Sequence, residues 1–118
     1  MSNLDRKSAA YMGTEIDMKW WKRYRVSPFF ARGNGFIWLQ DNSLYFHKLL
    51  TKIPMEIKLS SIIQLKTGKW HAGQWCLGNP IIKVIWNNEK MEMLSSGFYV
   101  ADKEYRDKLI AIIAEKMG

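Results

Sequence analysis

Along most of the chain apolar and polar positions alternate with a period of two, and after about residue 102 the period lengthens to that of a helix. Met55-Glu56-Ile57-Lys58-Leu59 alternates apolar with charged residues, the mark of a strand with one buried face, and Ile63-Gln64-Leu65-Lys66 repeats the pattern. Ile81-Ile82-Lys83-Val84-Ile85-Trp86 is strongly strand-forming; Asn87-Asn88 predicts a hairpin turn, with Lys90 to Ser96 as the returning strand. Phe36-Ile37-Trp38-Leu39 reads as a strand covered on both faces. Asp41-Asn42, two residues that tolerate left-handed backbone angles, predicts the turn into Ser43–Lys48.

The remaining segments are less regular. Trp21, Tyr24, Val26, Phe29 and Phe30 favour a strand, but Pro28 cannot donate to a ladder, so an edge strand or a bulge is expected there. Arg32-Gly33-Asn34-Gly35 has turn chemistry. Thr67 to Asn79 carries Gly68, Gly73 and Gly78, which predicts a long loop or a loosely twisted hairpin end. Residues 1–18 show no sustained period and are expected to form a tail or at most a loose helical turn, with the folded unit over 19–118. The strand count is seven. One helix closes the chain: Tyr105, Leu109, Ile112 and Ile113 share a stripe, Asp102 is placed to cap its first amides, Glu104 complements its positive start and Lys116 its negative end.

Seven short strands followed by one amphipathic helix predict a mainly β domain: a seven-stranded barrel, or two roughly orthogonal antiparallel sheets, capped by the helix. The 118 residues, 47% hydrophobic and 25% charged, suit one such domain and are too apolar for a disordered chain. No run of eighteen apolar residues exists and the first eighteen lack an apolar signal core, so neither a membrane span nor a secretory signal is expected. The single Cys76 has no intrachain disulfide partner, which agrees with a reducing, cytoplasmic location.

Charge adds a direction. Eighteen Lys and Arg against eleven Asp and Glu leave +7, which favours anionic partners by raising their local concentration and on-rate. Two clusters could use that field. Lys19, Lys22, Arg23, Arg25 and Arg32 interleave with Trp20, Trp21 and Tyr24, a combination suited to an anionic bilayer or to nucleic acid. The same pattern is that of an edge strand with a protective charged face. Lys66, Lys69, Trp70, His71 and Trp75 lie in the glycine-rich stretch, where a tryptophan beside a lysine suits a lipid interface and where both tryptophans also suit a core.

Catalysis and metal binding have little support. His71 and Cys76 lack a third orienting group nearby, and one cysteine with His47 and His71 falls short of a zinc set. No phosphate-binding glycine loop or nucleophile elbow is present, and no cofactor is implied.

The stretch Gly35-Phe36-Ile37-Trp38-Leu39-Gln40-Asp41-Asn42-Ser43-Leu44-Tyr45-Phe46-His47-Lys48, followed by Met55 to Ile63 with its Leu59-Ser60-Ser61-Ile62 step, resembles the GRAM-type pattern of the pleckstrin-homology superfamily, including its prokaryotic members. With Ser96-Gly97-Phe98-Tyr99 and the final helix, the resemblance spans about residues 21–117. Trp21-Lys22-Arg23-Tyr24-Arg25-Val26 is similar to that superfamily's tryptophan and basic-pair strand, but stands one strand too early, and the final helix lacks the customary tryptophan. The resemblance implies a non-catalytic binding or adaptor module at an anionic membrane surface or on a protein partner. A nucleic-acid-binding barrel and a purely structural, homo-oligomerising domain are the competing expectations.

Overall fold

The computed structural model describes residues 3–17, 19–24, 32–68, 70–71, 74–75 and 80–116, with the backbone alone described at 20, 23, 70, 71, 74 and 75. In chain order these form β1 (Leu4–Ile16), β2 (Lys19–Arg23), β3 (Gly33–Gln40), β4 (Ser43–Lys48), β5 (Met55–Lys58), a 3-10 turn (Leu59–Ser61), β6 (Ile62–Gly68), β7 (Trp70–His71), β8 (Gln74–Trp75), β9 (Ile81–Asn87), β10 (Met93–Tyr99) and α1 (Lys103–Lys116). Seven strands follow one antiparallel path, β5-β4-β3-β1-β10-β9-β6, and β2 pairs with β1 beside it. The path is open: β5 and β6 are its two ends, and the 3-10 turn between them packs against α1. This is a mainly β architecture with one C-terminal helix and matches a pleckstrin-homology-like fold class.

The sheet curls tightly around one core. In a flat sheet β4 and β10, three strands apart, would be separated by about 14 Å. Yet the rings of Phe46 on β4 and Phe98 on β10 lie 5.6 Å apart, each also against Tyr11 of β1. Ile37, Leu39, Leu44, Met55, Ile57, Ile62, Val84 and Leu94 complete the same buried cluster. Leu109 and Ile113 of α1 enter it from the expected helical stripe, with Tyr105 and Ile112 partly buried at its margin. Asp102 caps α1, its Oδ1 accepting from the Tyr105 amide at 3.1 Å.

The β3–β4 hairpin forms as its pattern predicts, with Asp41 and Asn42 at φ 50 and 63, the backbone a two-residue turn requires. Several other expectations need correction. Leu4–Ile16 is not a tail: β1 occupies the centre of the path, between β3 and β10. Its period is hidden because the register shifts between Leu4 and Lys7 against β3 and between Tyr11 and Gly13 against β10. Each shift throws the alternation out of phase, and small Ala9 and Ala10 add little apolar signal. The seven-strand path therefore includes β1 and leaves out β2, the reverse of the expected membership.

Gly33-Asn34-Gly35 is not a turn but the start of β3. A Cβ on Gly35 would stand 2.0 Å from the His47 carbonyl oxygen, so this glycine allows two backbones to approach closely rather than bend. Phe36–Leu39 is covered on one face only: Ile37 and Leu39 are buried, Phe36 is exposed, and Trp38 is screened by neighbouring side chains. The β9–β10 connection is wider than Asn87-Asn88. β9 runs through Asn87, and Asn88 Oδ1 accepts from the amides of Lys90 (3.0 Å) and Glu92 (2.9 Å), holding a loop that delays β10 to Met93. The glycine-rich stretch forms a hairpin end, β7 with β8, and β7 lies against β1 and β9.

Candidate functional site

β1 serves two partners along one of its edges. β3 pairs with its residues from Leu4 to Tyr11, and β2 with Glu15 and Ile16. Between them, at Met12, the ladder is interrupted, and the Arg32 guanidinium fills the gap by donating from Nε to the Met12 carbonyl at 3.0 Å. Arg32 is exposed but also part of the framework, so its cationic head is held at this junction. Lys19 and Lys22 are exposed on β2, and Trp21 between them is 62% exposed. Arg23 stands opposite Glu15 in the register. The 25–31 segment with Arg25, and the side chains of Trp20 and Arg23, lie outside the described residues.

Between Met18 and Met55 stand seven cations, Lys19, Lys22, Arg23, Arg25, Arg32, Lys48 and Lys52, and one acid, Asp41. The fold separates that acid from Arg32 and Lys48. Asp41 is at the β3–β4 turn, whereas Arg32 and Lys48 are at the opposite end of the hairpin, where Gly35 pairs with Lys48 and the Leu49 amide donates to the Asn34 carbonyl at 2.9 Å. Six residues of β4 span about 20 Å, roughly twice the screening length at physiological salt. Lys48 is half-buried, with its stem beside Gly33, and burial holds its ammonium below the usual lysine range.

Of the second cluster, Lys66 is exposed on β6, and the side chains of Trp70, His71 and Trp75 lie outside the described residues, as does Lys69. The register adds a cation that local sequence could not connect: Lys83 of β9 is directly opposite Lys66. Like charges facing across a ladder destabilise it by a few tenths of a kcal/mol to about 1 kcal/mol, a cost that a bound anionic group relieves. Only strand pairing, not spacing, brings these two lysines together.

Other clusters are self-satisfied. A shallow cleft of about 380 Å³ between β1 and α1 is lined by Asp5, Arg6, Lys7, Asp102, Glu104 and Lys108, with Lys7 bound to Asp102 at 2.8 Å and Lys108 to Glu104 at 3.5 Å. The Lys7 hydrogen bond and the Tyr105 amide hold the Asp102 carboxyl below its ordinary range. Burial pushes the Tyr105 hydroxyl well above the usual phenol range; it donates to the Ile37 carbonyl at 2.9 Å and lies 2.5 Å from that of Asp5. On the outer face of β1, β3 and β4, Arg6 sits 4.4 Å from the centre of the Trp38 ring, which stacks on Tyr45 at 5.3 Å. Partial burial, then the charge of Glu56, push the Tyr45 hydroxyl upward.

Protein-family models, curated proteins and solved structures yield no match to this chain.

Among the described residues no three His, Cys, Asp or Glu side chains converge as a metal set, and no helix is long and apolar enough to cross a membrane. Cys76, like the His71 side chain, lies outside the described residues. What the arrangement offers chemically is a basic end of the β1–β5 meander, with an aromatic side chain exposed beside its lysines.

Proposed function

We propose that this chain is a non-catalytic binding module that docks peripherally on an anionic membrane surface through β2 and the basic end of the β3–β4 hairpin. The observation that carries the reading is Trp21, 62% exposed on a short edge strand between exposed Lys19 and Lys22. A large apolar side chain held in water beside cations is costly unless it meets an interface, and a tryptophan flanked by lysines suits the headgroup level of a bilayer. The separation of Asp41 from Arg32 and Lys48 along the β3–β4 hairpin supports the same reading, since each Lys or Arg near an anionic bilayer contributes about 1 kcal/mol.

The test is co-sedimentation with phosphatidylserine-containing and neutral vesicles at low and physiological salt, beside a single-stranded oligonucleotide titration. Salt-sensitive binding to the anionic vesicles, lost in a Lys22→Ala, Arg23→Ala, Arg25→Ala variant, is the expected result. Preference for the oligonucleotide would transfer the site to nucleic acid, and binding to neither at low salt would leave a protein-partner or structural module.

A further inference from the structure

The β4–β5 loop carries a second feature that the basic strand does not explain. Leu49, Leu50 and Ile53 are 58%, 107% and 66% exposed, three aliphatic side chains within five residues and the densest exposed apolar set among the described residues. Leu50 also adopts φ 65, a left-handed backbone that favours glycine or asparagine and disfavours a branched aliphatic residue. Folding gains nothing from burying Leu50, and the turn would be better made by another residue. The loop is nevertheless well anchored: the Leu49 amide donates to the Asn34 carbonyl, the Thr51 hydroxyl to the Lys48 carbonyl at 2.8 Å, and His47 Nε2 lies 2.7 Å from the Thr51 carbonyl. Apolar side chains are thus presented on a fixed scaffold.

We infer that this loop is a membrane-insertion element, with Leu50 at its tip entering the acyl boundary of an anionic bilayer. The occupant follows from charge. Lys48 and Lys52 flank the leucines, no acid occurs from Asn42 to Met55, and Arg32 stands at the adjoining start of β3. The loop leaves β4 in the direction in which β1 runs on to meet β2, so the cations of β2 and the apolar tip share one end of the meander. Cations at headgroup level with aliphatics below them is the arrangement by which interfacial segments bind. The inference rests on the membrane reading above and adds to it a salt-resistant component, because apolar burial is not screened as surface charge is.

The test uses the full chain. In a Cys76→Ser background, Leu50→Cys is labelled with an environment-sensitive fluorophore and mixed with phosphatidylcholine vesicles with and without phosphatidylserine. A blue shift on the anionic vesicles, quenched by lipids carrying a quencher on the upper acyl chain, is expected. In parallel, Leu49→Ser, Leu50→Ser, Ile53→Ser should melt like the parent and lose vesicle affinity by about tenfold to a hundredfold, with the loss falling on binding that persists at high salt. If the parent binds anionic vesicles while the probe does not shift and the serine variant binds equally, the insertion inference is overturned and the basic-surface reading stands. If the parent binds no vesicle at low salt, both fail. A concentration-dependent dimer abolished by the serine substitutions, without vesicle binding, would assign the loop to a second copy of the chain instead.

Discussion

The two halves of β1 are built differently. From Leu4 to Ala10 its residues are half-buried or exposed, and it is held by β3 on one side and by Lys7 and the Asp5 carbonyl reaching α1. From Tyr11 to Glu15 five consecutive residues are buried, and Tyr11 meets the aromatic core. The first half is a surface strand with a period broken by one irregularity. The second contains the polar chain Tyr11–Thr14–Ser96–Trp86, in which the Tyr11 hydroxyl contacts Thr14 Oγ1, Thr14 Oγ1 lies 2.7 Å from Ser96 Oγ, and Trp86 Nε1 donates to Ser96 Oγ at 3.0 Å. The contrast teaches that one strand can join two sheet segments by exchanging partners along its length. Its polar residues mark a satisfied core there, not exposure.

The largest effect should come from removing the first half outright. A chain beginning at Tyr11 loses the β1–β3 ladder and the α1 anchor, and should lack a cooperative melt by near-ultraviolet circular dichroism; an unchanged melt would restore residues 1–10 to the status of a tail. A chain ending at Tyr99, which loses Leu109 and Ile113 from the core, should fare as badly, since each such aliphatic contributes about 1.5–3 kcal/mol against a total of about 5–15 kcal/mol.

Within the second half, Tyr11→Ala empties the centre of the aromatic triad and should cost about 3–5 kcal/mol in denaturant unfolding, whereas Tyr11→Phe, which keeps the ring, should cost about 1 kcal/mol. Ser96→Ala leaves Trp86 Nε1 and Thr14 without their shared partner and should cost about 1–3 kcal/mol. Equal losses from Tyr11→Ala and Tyr11→Phe would mean that the hydroxyl, not the packing, dominates this half.

The smallest effect concerns the first half and is a pH dependence. The Asp102 carboxyl is held below its ordinary value of 3.8 by Lys7 and the Tyr105 amide, so its contribution is present above that value and fades as pH falls through the lowered folded-state value. Asp102→Asn should lower stability slightly at neutral pH and converge with the parent as pH falls below about 4, flattening the acid limb, while Lys7→Met should do so partly.

The same two halves explain which parts of the fold could be read beforehand. The β3–β4 hairpin, β5 and α1 announce themselves through a periodic apolar face, with Asp41-Asn42 or Asp102 as local terminators, and β9 through its run of strand-forming residues. β1 does not, because its register shifts at three places, once against each of β3, β10 and β2, and its partner β10 is distant in sequence. The candidate surface divides likewise. Lys19, Trp21, Lys22 and Arg32 were legible as a basic aromatic run; that Arg32 bridges the ladder gap at Met12, and that Lys66 faces Lys83, follows only from pairing.

By itself the amino-acid order determined the class of the molecule, strands followed by one capping helix, and its excess of positive charge, because local periodicity and composition act over a few residues. Only the tertiary structure decided which strand lies at the centre, where the single acid among the cations is placed, and which aliphatic side chains remain outside the core. Those outcomes depend on register and on close approaches such as Gly35 against His47, contacts that arise between segments the sequence keeps apart.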